Sequence, residues 1–295
     1  MDLSAKMEKR PGSNFPSLAP FPLSTGWRAR LELEFERRGA RSVLASRRHD
    51  GPLVVQKSLH PEGEGICHAI VVHPPAGIAG GDHLSLAART GPRAHVVLAT
   101  PGAGKWYRSS GAWARQDIRF DVAANACLEW LPQETILFDG TLADLRTEVR
   151  LEQGARYLGW DIMCFGRSGS GERMRRGHCR MLVRVETGGR PLFIERGDIE
   201  GGAAQFDSPA ALGGHSVCGT FLAVAPACDK ALVTACREHR PERGEGAVTL
   251  LPGVLLARYL GDSSESAKRY FVRLRRVLRP AIMGCEASDL RIWST

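Results

Sequence analysis

The stretch His73-Pro74-Pro75-Ala76-Gly77-Ile78-Ala79-Gly80-Gly81-Asp82, followed by His83, gathers imidazole, carboxylate and bare glycine backbone. Cys67 and His68 lie just before it. Metal ligation is the chemistry these types suggest, because imidazole and carboxylate both ligate divalent metals. Spacing argues against a tight site. On an extended strand His68 and Val72 share a face while His73 points the other way. Strand geometry therefore does not converge these groups into a tetrahedral zinc site, and a weak, transient contact with a divalent metal is the most they support. The plainer reading is a strand–loop–strand corner. The two prolines cannot donate to a sheet ladder, and the glycines admit left-handed backbone.

Other candidates fall short of their motifs. Pro101-Gly102-Ala103-Gly104-Lys105 resembles a phosphate loop, but Ala99 stands where the first glycine belongs and Trp106 where the hydroxyl that holds Mg²⁺ belongs. Gly214-His215-Ser216-Val217-Cys218-Gly219 lacks the glycine of a nucleophile elbow at 218. Cys218 near His215 could form an activated thiol, although a buried structural cysteine is the commoner case. Five carboxylates sit near glycine or aromatic corners: Asp82, Glu134, Asp139, Asp161 and Glu195. Turn capping or pairing with the many arginines is the ordinary use for them.

The elements that must position these groups read as mainly β. From Trp27, Leu31, Leu33 and Phe35 alternate with Glu32, Glu34 and Glu36, the pattern of a half-buried strand. Ser42–Arg47 reads as a return strand and Leu53–Leu59 as another. A quasi-repeat of about thirty residues follows, each unit a strand, a small-residue turn and a strand. The units run Leu84 through Gly91 to Leu98, Ile118 through Asn125 to Trp130, and Val149 through Gly154 to Gly159. A looser fourth unit runs from Met181 through Gly188 to Ile194. Stacked β units and a plain series of hairpins both fit this spacing. Loops 99–117, 132–147, 164–178 and 237–247 lie between. Asp229–Glu238 reads as either a short helix or a strand. Near the C-terminus Tyr270, Phe271, Leu274, Val277 and Leu278 form a helical stripe opposite Arg269, Arg273 and Arg276. Asp262 or Ser263 is the candidate cap, Glu265 falls in the first turn, and the spacing predicts a helix over about 263–279, ended by Pro280.

Bulk properties narrow the class. The 295 residues suit one large domain of residues 25–295 behind a Pro/Ser-rich tail, residues 1–24, expected to be disordered. The tail has no signal-type apolar core, and no run reaches the length of a membrane span. The expectation is a cytoplasmic protein with no membrane partner. Eight cysteines without a C-x-x-C pair read as reduced thiols. A net charge of +8 suggests an acidic partner or nucleic acid.

Several long motifs carry a resemblance. HPPAGIAGGD at 73–82, ATPGAGKWYRS at 99–109, LEWLPQETILFDG at 128–140, LGWDI at 158–162 and ARYLGD at 257–262 resemble the urease accessory protein UreD (UreH) family, from about Gly26 to Trp293. The resemblance implies a β-helix-like stack and a urease maturation factor without catalytic residues of its own. It implies a scaffold that binds apo-urease on one side and UreF on the other, with the GTPase UreG recruited through UreF. It implies no tightly bound cofactor, only transient Ni²⁺ in an internal polar tunnel. Asp82, Asp161 and Glu195 match acidic positions linked to that route. Gly104 departs from the family's usual Thr or Ser.

Two other functional classes each have some support in the residues. A Cys218-dependent hydrolase needs a convergent pocket with a perturbed base. A nucleic-acid-binding protein needs aromatics interleaved with basic residues, and only Trp106-Tyr107-Arg108 and Trp113-Ala114-Arg115 meet that. Neither accounts for the long motifs, and no nucleic-acid partner is expected.

Overall fold

The structure is a computed structural model that describes residues 26–294. The expected tail at 1–24 lies outside the described residues. The chain opens with an antiparallel pair, β1 (Arg28–Arg38) and β2 (Arg41–Asp50), then a two-residue β3 (Val54–Val55). It then winds through β4 (Ile66–Val72), β5 (His83–Thr90), β6 (His95–Ala99), β7 (Gly104–Trp106), β8 (Ala114–Val122), β9 (Cys127–Leu131), β10 (Thr135–Leu137), β11 (Leu142–Leu151), β12 (Arg156–Phe165) and β13 (His178–Thr187). After β14 (Arg190–Glu200) come β15 (Val217–Val224), α1 (Lys230–Arg237), β16 (Glu245–Leu251), β17 (Val254–Gly261) and α2 (Ser264–Met283).

Successive strands fall on different faces of a stack. The first sheet has the order β14-β13-β11-β8-β5-β1-β2, and β1, β5, β8, β11 and β13 run parallel in it. The second runs β16-β17-β15-β12-β9-β6-β4-β3, with β4, β6, β9 and β12 parallel. A narrow third face joins β7, β10 and the end of β12, also parallel. The repeat seen in the sequence is one turn of this winding. Ala114 lies beside Ala143, 29 residues on, and Leu142 beside His178, 36 on. The small-residue turns stack too: the Asn125 amide donates to the Gln153 carbonyl, and a Cβ at Gly154 (φ +72°) would sit 2.3 Å from Asn125 Oδ1. The fold class is as expected: mainly β, stacked coils, a C-terminal helix and one minor α-helix.

Three details differ from expectation, and one reading left open is settled. The fourth unit is not a further coil, because β14 folds back on β13 as an antiparallel hairpin in the same sheet. Of Leu53–Leu59 only Val54–Val55 is strand. Asp229–Glu238 resolves as helix α1, the Asp229 carboxylate accepting from the Leu232 amide at 2.8 Å. Helix α2 continues through Pro280 to Met283 and is closed by Gly284 in the left-handed region. Proline costs the helix one hydrogen bond there. The buried stripe nevertheless extends to Ile282 and Met283, and that packing carries the helix on.

The core has two layers. One fills the space between the sheets, with Leu31, Leu33, Phe35, Leu86, Leu98, Phe120, Leu128 and Val149. The other lies between the second sheet and α2, with Val97, Leu131, Leu158, Trp160, Phe221, Phe271 and Leu274. The second sheet is thus buried on both faces, which is why β6 and β9 are apolar almost throughout. The exceptions are His95 at the start of β6 and Glu129 in β9, the latter fully buried against α2. Its carboxylate accepts from Arg275 Nε and Arg279 Nε, each at 2.8 Å, and contacts His95 Nε2 at 2.9 Å. Arg279 also pairs with Glu62, which holds His68 Nε2 at 2.7 Å. The exposed Arg269 and Arg276 and the half-buried Arg273 pair instead with Glu242, Glu265 and Asp289.

Candidate functional site

The space between the sheets is not filled throughout. A cavity of about 310 Å³ opens where the third face meets them. Its rim is the 73–82 loop, with His73, Ala76, Gly77 and Ile78, and the facing 100–106 segment. Its inner wall carries Gln116, Gln133, Thr135 and Asp161 among apolar side chains. A smaller space of about 30 Å³ continues inward and shares Gln116, Ile118, Thr135 and Asp161 with the first.

The rim loop is held by backbone geometry. Ile78 adds a first rung to the third face: its amide donates to the Lys105 carbonyl and its carbonyl accepts from the Tyr107 amide, both at 2.8 Å. A Cβ at Gly77 would fall 2.1 Å from the Tyr107 ring, so glycine is what lets this rung close. Asp82 locks the loop, accepting from the Trp27 amide and the Ala79 amide at 2.8 Å each. Its carboxylate is a corner tie and does not line the cavity. His73 does line it; burial lowers its pKa and so favours the neutral imidazole, while the charge of Asp82 opposes this in part.

Strand alternation explains Asp161. In β12 Trp160 and Ile162 face α2, so Asp161 faces the interior. Register then extends a polar row: Asp161 lies beside Thr220 of β15, and Thr220 beside Arg258 of β17. From the first sheet Glu195 of β14 meets the end of this row, beside Val183 of β13, which lies beside Thr147 of β11. Thr220 Oγ1 donates to Glu195 Oε2 at 3.4 Å, and Arg258 Nη1 contacts both Glu195 and Thr220. Burial first, and the Glu195 charge second, push the Asp161 carboxyl up to about 7. The structure thus brings Asp161 and Glu195 together and places Asp82 at the rim loop.

The remaining candidates have structural roles. Asp139 accepts from the Arg175 and Arg176 amides at 2.8 Å and pairs with the Arg176 guanidinium. Glu134 lies near Lys268, where its charge opposes the lowering of the Lys268 pKa by burial. The Cys218 thiol is pushed up to about 12, by burial first and by the Glu195 charge next, while His215 Nδ1 is engaged by Asp262 at 3.0 Å. That removes the activated-thiol reading. The 101–105 segment runs into strand β7, not into the helix a phosphate loop requires. Among the described residues no three His, Cys, Asp or Glu side chains cluster as a metal site, and no helix is long and apolar enough to cross a membrane.

Sequence reasoning did not single out Gln116, Thr147, Thr220 or Arg258. The available signal was parity: each occupies an inward position of an alternating strand whose other inward residues are apolar.

A family model described as UreD urease accessory protein matches residues 27–294, from the first residue of the rim-loop tie to the end of the described chain. The chain belongs to the UreD urease accessory protein family. It is 54% identical to the urease accessory protein UreD of Azoarcus sp. (strain BH72), over 92% of this chain and 95% of that protein. It is 50% identical to UreD of Dechloromonas aromatica (strain RCB), over 92% and 96% respectively. It is 46% identical to UreD of Methylobacillus flagellatus, over 91% and 95%. The UreD match takes in both sheets, the third face and α2, so the cavity and the polar row lie wholly inside it. Urease maturation is the function this family implies.

Proposed function

We propose that this chain is both scaffold and conduit in urease maturation. It bridges apo-urease to UreF, UreF brings the GTPase UreG, and Ni²⁺ passes through the interior of this chain on its way to the urease active site. The observation that carries this reading is the polar row Asp161–Thr220–Arg258 with Glu195, continuous with a cavity inside an otherwise apolar sandwich. Burying carboxylates between sheets is costly. A fold needing only stability would place apolar residues there.

The chemistry suits cargo in transit. A path must bind its ion strongly enough to admit it and weakly enough to release it. Single carboxylates with hydroxyl and amide neighbours do that better than a thiolate cluster. His73 at the rim offers a neutral imidazole for entry. Asp82 fixes the rim loop that presents it. Asp161 is the inner carboxylate and Glu195 the outer one. The basic surface and the exposed arginines of α2 are docking candidates for acidic partner faces.

The test is coexpression of urease with its accessory proteins and either Asp161→Asn or Glu195→Gln in this chain. The expected outcome is a several-fold fall in nickel per urease active site while pull-downs still recover the assembled complex. Full loading with both variants would contradict the conduit.

A further inference from the structure

The outer end of the polar row is closed by a cation. Arg258 is an inward residue of β17, two strands across from Asp161 along one register row. Neighbouring strands are about 4.8 Å apart, which puts these two backbone positions about 10 Å apart. Its guanidinium reaches across the gap between the sheets and contacts Glu195 of β14 and Thr220 Oγ1 together. One fixed positive charge thus occupies both oxygen ligands that a divalent cation leaving Asp161 would meet next. The pair stands where the sandwich reaches solvent, with the Arg258 side chain 41% exposed and that of Glu195 20% exposed.

We propose that Arg258 is the gate of the interior path: while it holds Glu195 and Thr220 the outer end is closed to divalent cations. Opening requires the guanidinium to leave Glu195. Its exposed side chain can be drawn off by a carboxylate on a protein face docked over this edge, since arginine exchanges readily between carboxylate partners of matching fork geometry. The closed form keeps an ion from passing the outer end before the partner is seated. Asp139 and Arg176 form a pair of similar type, but at a corner outside the cavity lining, so that pair bars no path.

This inference rests on the conduit reading, and the test separates the two. Ni²⁺ binding to the purified chain is measured by equilibrium dialysis for wild type, Arg258→Met, Arg258→Gln, Arg258→Lys and Arg258→Met/Glu195→Gln, with circular dichroism as the check on folding. Arg258→Met should bind Ni²⁺ about tenfold more tightly than wild type. Arg258→Gln, which also removes the charge, should show the same gain and serves if the Met variant folds poorly, whereas Arg258→Lys, which keeps the charge, should stay close to wild type. Adding Glu195→Gln should remove the gain. Equal Ni²⁺ affinity in Arg258→Met and wild type, or a gain that survives Glu195→Gln, overturns the gate. If Asp161→Asn and Glu195→Gln also leave urease fully loaded, the conduit itself fails, whereas normal losses in those variants with unchanged binding in Arg258→Met remove only the gate.

Discussion

Asp161 shows how one residue can be legible in type and illegible in environment. Its motif marked it as a candidate, and alternation in β12 turns it inward. Its pKa near 7, however, depends on burial and on Glu195, which lies 34 residues away on the other sheet. The consequence for stability has a definite sign. The folded pKa is raised above the ordinary 3.8, so the folded state binds the proton more tightly than the unfolded chain. The stabilisation from this site is complete below about pH 4 and is lost as pH rises to about 7. Asp161→Asn removes that loss. Urea unfolding at pH 8 should show the variant more stable than wild type by roughly 2–4 kcal/mol, with the difference shrinking towards pH 5. Asp82→Ala should behave in the opposite way. It strips two backbone amides of their acceptor at the rim loop, so it should cost about 1–3 kcal/mol at neutral pH and lower nickel loading in part, with the complex still assembled. Arg258 was not legible, because an arginine among inward positions reads as a break in the pattern until register places Glu195 opposite it.

At the scale of elements, helix α2 was visible from its apolar stripe, its cap and its first-turn acid. Ser263 accepts from the Ser266 amide at 3.1 Å, as the spacing required. What holds the helix down was not visible. Arg275 and Arg279 lie on the buried side and meet Glu129, a single acid in an apolar strand. Nothing local in β9 reveals partners about 150 residues further along the chain. Replacing one member of such a network leaves uncompensated buried charge. Glu129→Gln should therefore cost about 3–5 kcal/mol in urea unfolding, seen as early loss of helical signal. The network also sets the acid limit. Glu62 is held at about 2 and Glu129 well below the usual carboxylate range, desolvation being outweighed by their arginine and histidine partners. Depressed carboxylates contribute stability that is complete above about pH 4.5 and is lost as pH falls through their folded pKa values. Wild-type stability should thus drop steeply below pH 4, and in Glu129→Gln the drop should be shallower. A helix boundary at Pro280 failed as an expectation because tertiary packing outweighed one missing hydrogen bond.

At the scale of the whole molecule, the thirty-residue repeat was legible because each coil must place its apolar residues between the same two sheets. The third face was not, since β7 and β10 are three residues each and carry no alternation long enough to read. The end of the stack was also hidden, because β13–β14 has the same strand–turn–strand pattern as a coil and differs only in pairing direction. Register across the stack has a second determinant on the outer face of the first sheet. Arg115, Asp117, Arg119 and Asp121 of β8 lie beside Asp144, Arg146, Glu148 and Arg150 of β11. Opposite charges meet at every position, and a slip of two residues, which the core pattern alone would tolerate, would bring like charges together. Arg119→Glu should accordingly destabilise by about 1 kcal/mol, measured by thermal or urea unfolding at low salt, with the loss reduced at high salt. All of this architecture serves the claim that the chain loads urease with nickel. The most direct measurement is nickel per urease active site, with urease activity, from cells that express the urease subunits and every other accessory protein with and without this chain. The account predicts that both collapse without it and return when it is restored. Unchanged nickel and activity in its absence would contradict the account.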